Sequence, residues 1–266
     1  MTTKTPFIIY TTDFAGRDEV LCDPIKIPGV RYICFTDRDA CDVPSVWEIH
    51  APAKLFDCPR LTNIWHKTHP HVFLPEHDLS LYLNASVELL ADPRNALKPG
   101  FEGFAAMRHR HRSCLFEEAK YCRDIGVTEP ESLRPQLEYY AVMVPPEKRP
   151  TGLWETGALI RDNGLPTQVM NALWWEHLFR FPRRDQVVLA FLNTQHQAYF
   201  KEGMITDLPG TFSNSEYFKL TSHGGPAPYS ETEAFKRFPL YMRRKEQWAE
   251  RVRQSSRGLD DVVRLV

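Results

Sequence analysis

The run Asn84-Ala85-Ser86-Val87-Glu88 sets two short oxygen-bearing side chains at i and i+2, directly after the apolar stretch 79–83. Residues two apart on a strand share a face, so Asn84 and Ser86 can aim together at a hard divalent cation or at the ribose and pyrophosphate of a nucleotide. Asn brings a neutral carbonyl where Asp would bring a charge, and a plain turn after a strand accounts for the same residues. The segment Met107 to Glu118 alternates Arg108, Arg110 and Arg112 with His109 and His111. Three guanidiniums on one side of an extended segment, or clustered before a helix, suit a diphosphate through bidentate contacts and the helix N-terminus. The competing reading is a solvated charged loop with Glu117 and Glu118 as counter-charges.

Two carboxylates stand in settings of their own. Glu155 lies in Trp-Glu-Thr-Gly, where Gly157 permits close approach of a ligand or a backbone. Asp185 follows Pro182 and two arginines and opens an apolar stretch with Gln186. Either can act as base, nucleophile or acceptor for a sugar hydroxyl, although an acid at the start of a helix is also a favourable N-terminal charge. His223, before Gly224-Gly225-Pro226, is a late-loop candidate for phosphate or metal. His66, His69, His71, His77, His109 and His111 supply imidazoles for a metal-dependent hydrolase, but no HExxH or CxxC spacing organises them.

Residues 7–10, 31–35, 46–49 and 79–83 are short apolar runs, each ending in polar residues: Thr11, Thr12 and Asp13; Thr36 and Asp37; His50; Asn84 and Ser86. They predict strands whose C-terminal ends open into polar groups. Residues 57–73 carry Leu61, Ile64, Trp65 and Val72 at helical spacing, and 113–123 carry a stripe of Leu115, Ala119 and Cys122. The stretch 128–150, with its prolines, predicts a connection plus a short helix or strand. Residues 154–161 predict a strand, and 169–181 and 185–193 two helices broken at Pro182. This alternation argues for an α/β fold with a mostly parallel sheet, in which ligands bind beyond the carboxyl ends of the strands.

Lys plus Arg total 33 against 34 Asp plus Glu, which argues against nucleic acid as the partner, because phosphate neutralisation demands a basic excess. Six cysteines without a CxxC pair, and an N-terminal stretch lacking the pattern of a signal peptide, predict free thiols and a cytoplasmic location. No apolar run reaches the length that spans a bilayer. Residues 236–257 hold eight Lys or Arg and two Glu; this basic tail, read as helical over 236–266, suggests peripheral contact with an anionic membrane surface, and a solvated helix is the plainer reading.

In order and content these motifs resemble the TOD1/MUCI70 glycosyltransferase-like domain family, also catalogued as DUF616. The resemblance rests on Tyr-Thr-Thr-Asp-Phe-Ala-Gly-Arg-Asp from Tyr10, Tyr-Ile-Cys-Phe-Thr-Asp from Tyr32, and Pro59, Arg60 and Lys67 leading to Pro70-His-Val-Phe-Leu-Pro. It continues through Ser80-Leu-Tyr-Leu-Asn-Ala-Ser, Arg108-His-Arg-His-Arg, Glu155-Thr-Gly-Ala-Leu-Ile-Arg and Trp174-Trp-Glu, and ends at Arg183-Arg-Asp-Gln. It implies a single-domain GT-A-like (Rossmann-like) α/β fold over 1–235, similar to glycogenin-like transferases. A nucleotide-sugar donor, of UDP type, would pass its sugar to a glycan or other hydroxyl acceptor, as in envelope or surface polysaccharide synthesis. By that analogy Thr11, Thr12, Asp13, Thr36 and Asp37 cup the nucleotide, with Lys67, Arg108, Arg110, Arg112 and Gln186 also on the donor. Asn84 and Ser86 take the place of the metal site, with His223, which the resemblance does not reach, as a further candidate ligand, while Asp185 and Glu155 do the chemistry. The family pattern carries Asp where Asn84 stands, which puts dependence on Mn2+ or Mg2+ in doubt and raises a catalytically degenerate nucleotide-sugar binder as the alternative.

Overall fold

The computed structural model describes residues 6–14, 21–37, 39, 43–124, 128, 130–181, 184–201 and 203–221. These fall into two compact units. One holds the described residues of Met1–Arg110, Glu155–Ala172 and Gln197–Pro226, the other those of His111–Trp154 and Leu173–His196. Residues 236–266 and His223 lie outside the described residues.

The first unit is built on a mixed sheet. Its strands are β1 (Phe7–Asp13), β2 (Arg31–Thr36), β3 (Glu48–His50), β4 (Leu79–Asn84), β6 (Phe104–Met107), β7 (Ala158–Asp162) and β8 (Ile205–Leu208), in the order β3-β2-β1-β4-β7-β6-β8. Within this sheet only β7 runs against its neighbours, and the sheet's other described pairings are parallel. A separate two-stranded ribbon pairs β5 (Val87–Leu89) with β9 (Phe218–Leu220). β1 is buried along its whole length, as a parallel strand covered on both faces must be.

One face of the sheet carries Phe7, Ile9, Leu81, Leu83, Ala105, Met107 and Ile160, with Leu21, Ile27 and Trp47 packed on them. Tyr10, Tyr82 and Arg161 lie on the other face, near α1 (Pro59–Thr68) and α2 (Pro70–Phe73). There the His66 ring packs among Phe14, Phe35, Trp65 and Phe73, an aromatic cluster with centroid separations of 5.0 to 5.4 Å. Such edge and tilted contacts add to the area term of burial.

The second unit is helical: α3 (Leu115–Asp124), α4 (Pro130–Met143), the later part of α5 (Leu165–Arg180), and α6 (Asp185–His196). The prolines of 128–150 do not break the chain into short pieces, because Pro130 occupies the first position of α4, where its missing N–H costs nothing. Pro135 does interrupt the helical bonding. Leu133, Leu137 and Tyr140, at helical spacing, are buried, and the Tyr140 ring stacks on Phe191 at 3.8 Å and 5°. That burial outweighs the lost backbone bond. β5, β6, β8 and β9 are not anticipated by hydrophobic period, since three or four residues give a period-two pattern too few positions to show itself. No helix among the described residues is long and apolar enough to cross a membrane.

Candidate functional site

Because β7 alone is reversed, β1, β2, β4, β6 and β8 end, and β7 begins, along one edge of the sheet. Between β1 and β4 the strand order changes direction: β2 and β3 lie to one side of β1, and β4 and its neighbours to the other. A crevice outside the carboxyl ends at such a switch point is where open α/β sheets bind ligands. The register brings the predicted residues together there, with Thr12 opposite Asn84 and Asp13 opposite Thr36. Neighbouring strands lie about 4.8 Å apart. Thr11, Thr12, Asp13 and Thr36 are buried, Asn84 is half-buried, and Asp37 is exposed just beyond β2. Thr11 Oγ1 donates to Leu83 O at 2.8 Å, which ties β1 to β4 next to the rim.

Beneath this rim lies a buried polar stripe. Lys67 Nζ sits 4.9 Å from the centre of the Tyr82 ring, and Tyr82 Oη meets Thr12 Oγ1 at 3.3 Å. The position of Lys67 is fixed from behind. Arg161, 0% exposed, donates from Nη1 to Lys67 O at 2.7 Å and to Asn171 Oδ1 at 3.0 Å, and from Nη2 to Tyr10 Oη. Tyr10 Oη in turn donates to Lys67 O at 3.1 Å. A cation at the last carbonyls of α1 also complements the helix dipole. Burial pushes the Tyr10 phenol up to about 12 despite the opposing pull of Arg161, so the pair works as cation and neutral hydroxyl. The family motif includes Arg161, but its role as a clamp was not legible; the one local signal is a charged pair, Arg161-Asp162, closing the apolar run Ala158-Leu-Ile.

Asn84 is held by its backbone, whose N–H donates to Gly157 O at 2.7 Å. A Cβ on Gly157 would stand 3.2 Å from Asn84 Nδ2, 3.2 Å from Phe212 Cζ and 3.4 Å from Val87 Cγ2. The glycine is thus required for packing rather than for a special backbone angle. Gly157→Val is expected to lower stability by about 1–3 kcal/mol through overpacking. A urea midpoint equal to wild type would show that Asn84 and Phe212 move aside freely. Ser86 does not join Asn84 at the rim in an open position: it is buried, and its Oγ has no hydrogen-bond partner among the described residues.

The basic segment is divided among separate partners. Arg108 pairs with Asp207 at 2.8 Å and Arg110 donates to Ser213 Oγ at 2.8 Å, both in the first unit. His109 Nε2 stands 3.7 Å from Glu155 Oε1. In the second unit Arg112 Nε donates to Glu118 Oε2 at 2.6 Å, and Glu118 Oε1 accepts from Arg184 at 2.5 and 2.8 Å and from Cys122 Sγ at 3.2 Å. Burial alone would raise the Glu118 pKa; the Arg184 and Arg112 guanidiniums outweigh it and hold the carboxyl below its ordinary range. Asp185, also in the second unit, opens α6 and accepts from Gln186 N at 3.0 Å, while its carbonyl accepts from Trp174 Nε1 at 3.2 Å. Gln186 is buried in the same turn.

Among the described residues no three His, Cys, Asp or Glu side chains stand together, Asn84 is neutral, and Ser86 Oγ is enclosed. The histidines are used otherwise: His66 Nδ1 lies 2.7 Å from Thr62 O, His69 Nδ1 lies 3.0 Å from Trp65 O with its ring stacked on Trp65, and His77 Nδ1 lies 2.8 Å from Pro75 O. All five described cysteines are free thiols. A cleft of about 880 Å³ opens at the opposite edge of the sheet, near Asp78 and Asp162. Its Asp162 is already consumed by the N–H groups of Gly103 and Gly164 and by Thr167 Oγ1, and Arg94 by Asp92.

Sheet order and strand register define a mixed α/β protein whose carboxyl-end rim is polar at the switch point. Residues 42–217, 176 of the 266, match the model of the TOD1/MUCI70 glycosyltransferase-like domain, and the chain belongs to that family. No curated protein matches it. Among solved structures it is similar to the WbbM bifunctional glycosyltransferase in its apo structure, at 7% identity and a TM-score of 0.46. That match covers 93% of this chain and 52% of the other, so the chain spans about half the length of that enzyme. It is also similar to mouse xyloside xylosyltransferase 1 in its apo form, at 11% identity and a TM-score of 0.43, over 76% of this chain and 85% of that one.

Proposed function

We propose that the protein transfers a sugar from a nucleotide-sugar donor, a UDP-sugar, to a hydroxyl acceptor such as a glycan. The observation that carries this reading is the register of the rim: Thr12 beside Asn84 and Asp13 beside Thr36, at the switch point of a chain that belongs to a glycosyltransferase-like family. In this reading the buried hydroxyls and Asp13 hold the nucleoside. Lys67, whose ammonium lies below the rim, faces the diphosphate. Breaking the bond between sugar and phosphate leaves negative charge on the nucleoside diphosphate, and a fixed cation in a site shielded from water stabilises that charge as it develops. Arg108 and Arg110, at the end of β6, are the further cations of the same edge.

Asn84 in place of a carboxylate favours a second reading, a domain that binds nucleotide sugar without turning it over. One experiment separates the two. The protein is incubated with a panel of UDP- and GDP-sugars and simple glycoside acceptors, and released nucleoside diphosphate is measured beside UDP binding by calorimetry. Turnover with at least one donor supports the transferase, and binding without turnover supports the second reading. Binding of neither nucleotide contradicts both. Lys67→Met is expected to weaken UDP binding about 10- to 100-fold, the range for a charge-assisted hydrogen bond worth roughly 1.5–3 kcal/mol.

A further inference from the structure

The pair His109 and Glu155 lies on the same edge as the rim, two strands away from the nucleotide crevice. His109 follows β6 by two residues and Glu155 precedes β7 by three, and the backbone N–H of Glu155 donates to Met107 O at 2.8 Å, stapling the two segments together. With β4, β7 and β6 adjacent in the sheet, the pair stands about 5 to 10 Å along the edge from the strand that carries Asn84. A monosaccharide joined to a diphosphate at the β1–β4 crevice extends over that distance. The two side chains differ in access: His109 is 7% exposed and Glu155 is 21% exposed. The carboxylate is therefore the group open to a substrate, and the imidazole, at ion-pair distance behind it, is the group that orients it.

We infer that Glu155, oriented by His109, takes the proton of the acceptor hydroxyl, an inference that rests on the transferase reading above. As the acceptor oxygen bonds to the anomeric carbon, its proton passes to Glu155. The bond from that carbon to the diphosphate oxygen breaks, and its electron pair leaves on the nucleoside diphosphate. Glu155 is then a catalytic residue and His109 a positioning residue. A single displacement of this kind inverts the anomeric configuration, whereas the likeness to glycogenin-like transferases noted from sequence implies retention.

The test uses the full chain and whichever UDP- or GDP-sugar the wild type turns over. Glu155→Gln is expected to lower kcat by about 10²- to 10⁴-fold, the usual contribution of a general base, with UDP affinity within about twofold of wild type. His109→Gln is expected to lower kcat about tenfold at unchanged donor KM, and the double variant to be no worse than Glu155→Gln alone. Proton NMR of the wild-type product, which needs no variant, is expected to show the inverted anomer. Retained configuration, a Glu155→Gln rate within about threefold of wild type, or equal losses of UDP binding and turnover in that variant would each overturn the inference while leaving the transferase reading in place. A wild type that releases no nucleoside diphosphate from any donor overturns both.

Discussion

Between pH 6.5 and pH 4.5 the protein is expected to lose most of its stability, through His66, His69 and His177. Burial pushes each of these imidazoles down to about 4. His66 and His69 are enclosed by the aromatic cluster above the sheet, and His177 by Tyr140, Phe181 and Phe191, with its Nδ1 2.9 Å from Tyr140 Oη. The sign follows from comparing the two states. All three are neutral when folded at neutral pH, and in the unfolded chain each takes up a proton below about 6.5. Their contribution is therefore complete above pH 6.5 and falls away as the pH approaches 4. At pH 5 the loss is about 2 kcal/mol per histidine, or about 6 kcal/mol together, against a typical total of about 5–15 kcal/mol. Urea midpoints measured from pH 7.5 to 4.5 should hold level and then drop steeply. A level profile down to pH 5, or an imidazole NMR signal from these residues titrating near 6.5 in the folded protein, contradicts the assignment.

Glu118→Ala is expected to cost about 3 kcal/mol or more, because it removes the buried carboxylate that the Arg112 and Arg184 guanidiniums share. The converse substitution separates the value of the pair from the penalty of breaking it. Replacing Arg112, Glu118 and Arg184 together by Met, Leu and Met should come within about 1 kcal/mol of wild type, since apolar groups of similar volume replace a desolvated ion cluster at little net cost. Glu118 also adds an acid-dependent contribution of its own, present above the ordinary carboxyl range and lost below it, in a lower window than that of the histidines. A Glu118→Ala midpoint close to wild type would mean that the arginines reach solvent readily and that the cluster organises nothing.

The central strands were legible because β1, β2 and β4, of six or seven residues, each carry a short apolar run that ends in oxygen-bearing side chains, and the same feature marked the rim. Helix α1 was legible from the spacing of Leu61, Ile64 and Trp65. The rest depended on partners distant in the chain. Nothing near Arg161 announces that it will clamp Lys67 O, 94 residues away, and nothing near Glu118 announces Arg184, 66 residues away. The basic segment illustrates the same limit: its alternation suggested cations acting together, whereas Asp207, Ser213 and Glu118 each claim one arginine. His109 attracted notice as a possible metal ligand, and only the fold put Glu155 beside it.

The most direct test of the account is a crystal structure of the protein soaked with UDP. The account predicts density for the nucleotide between the carboxyl ends of β1 and β4, with Thr12, Asp13 and Thr36 against the nucleoside and Lys67 toward the diphosphate. UDP bound instead in the cleft at the opposite edge, near Asp78 and Asp162, or on no part of the rim, would contradict it.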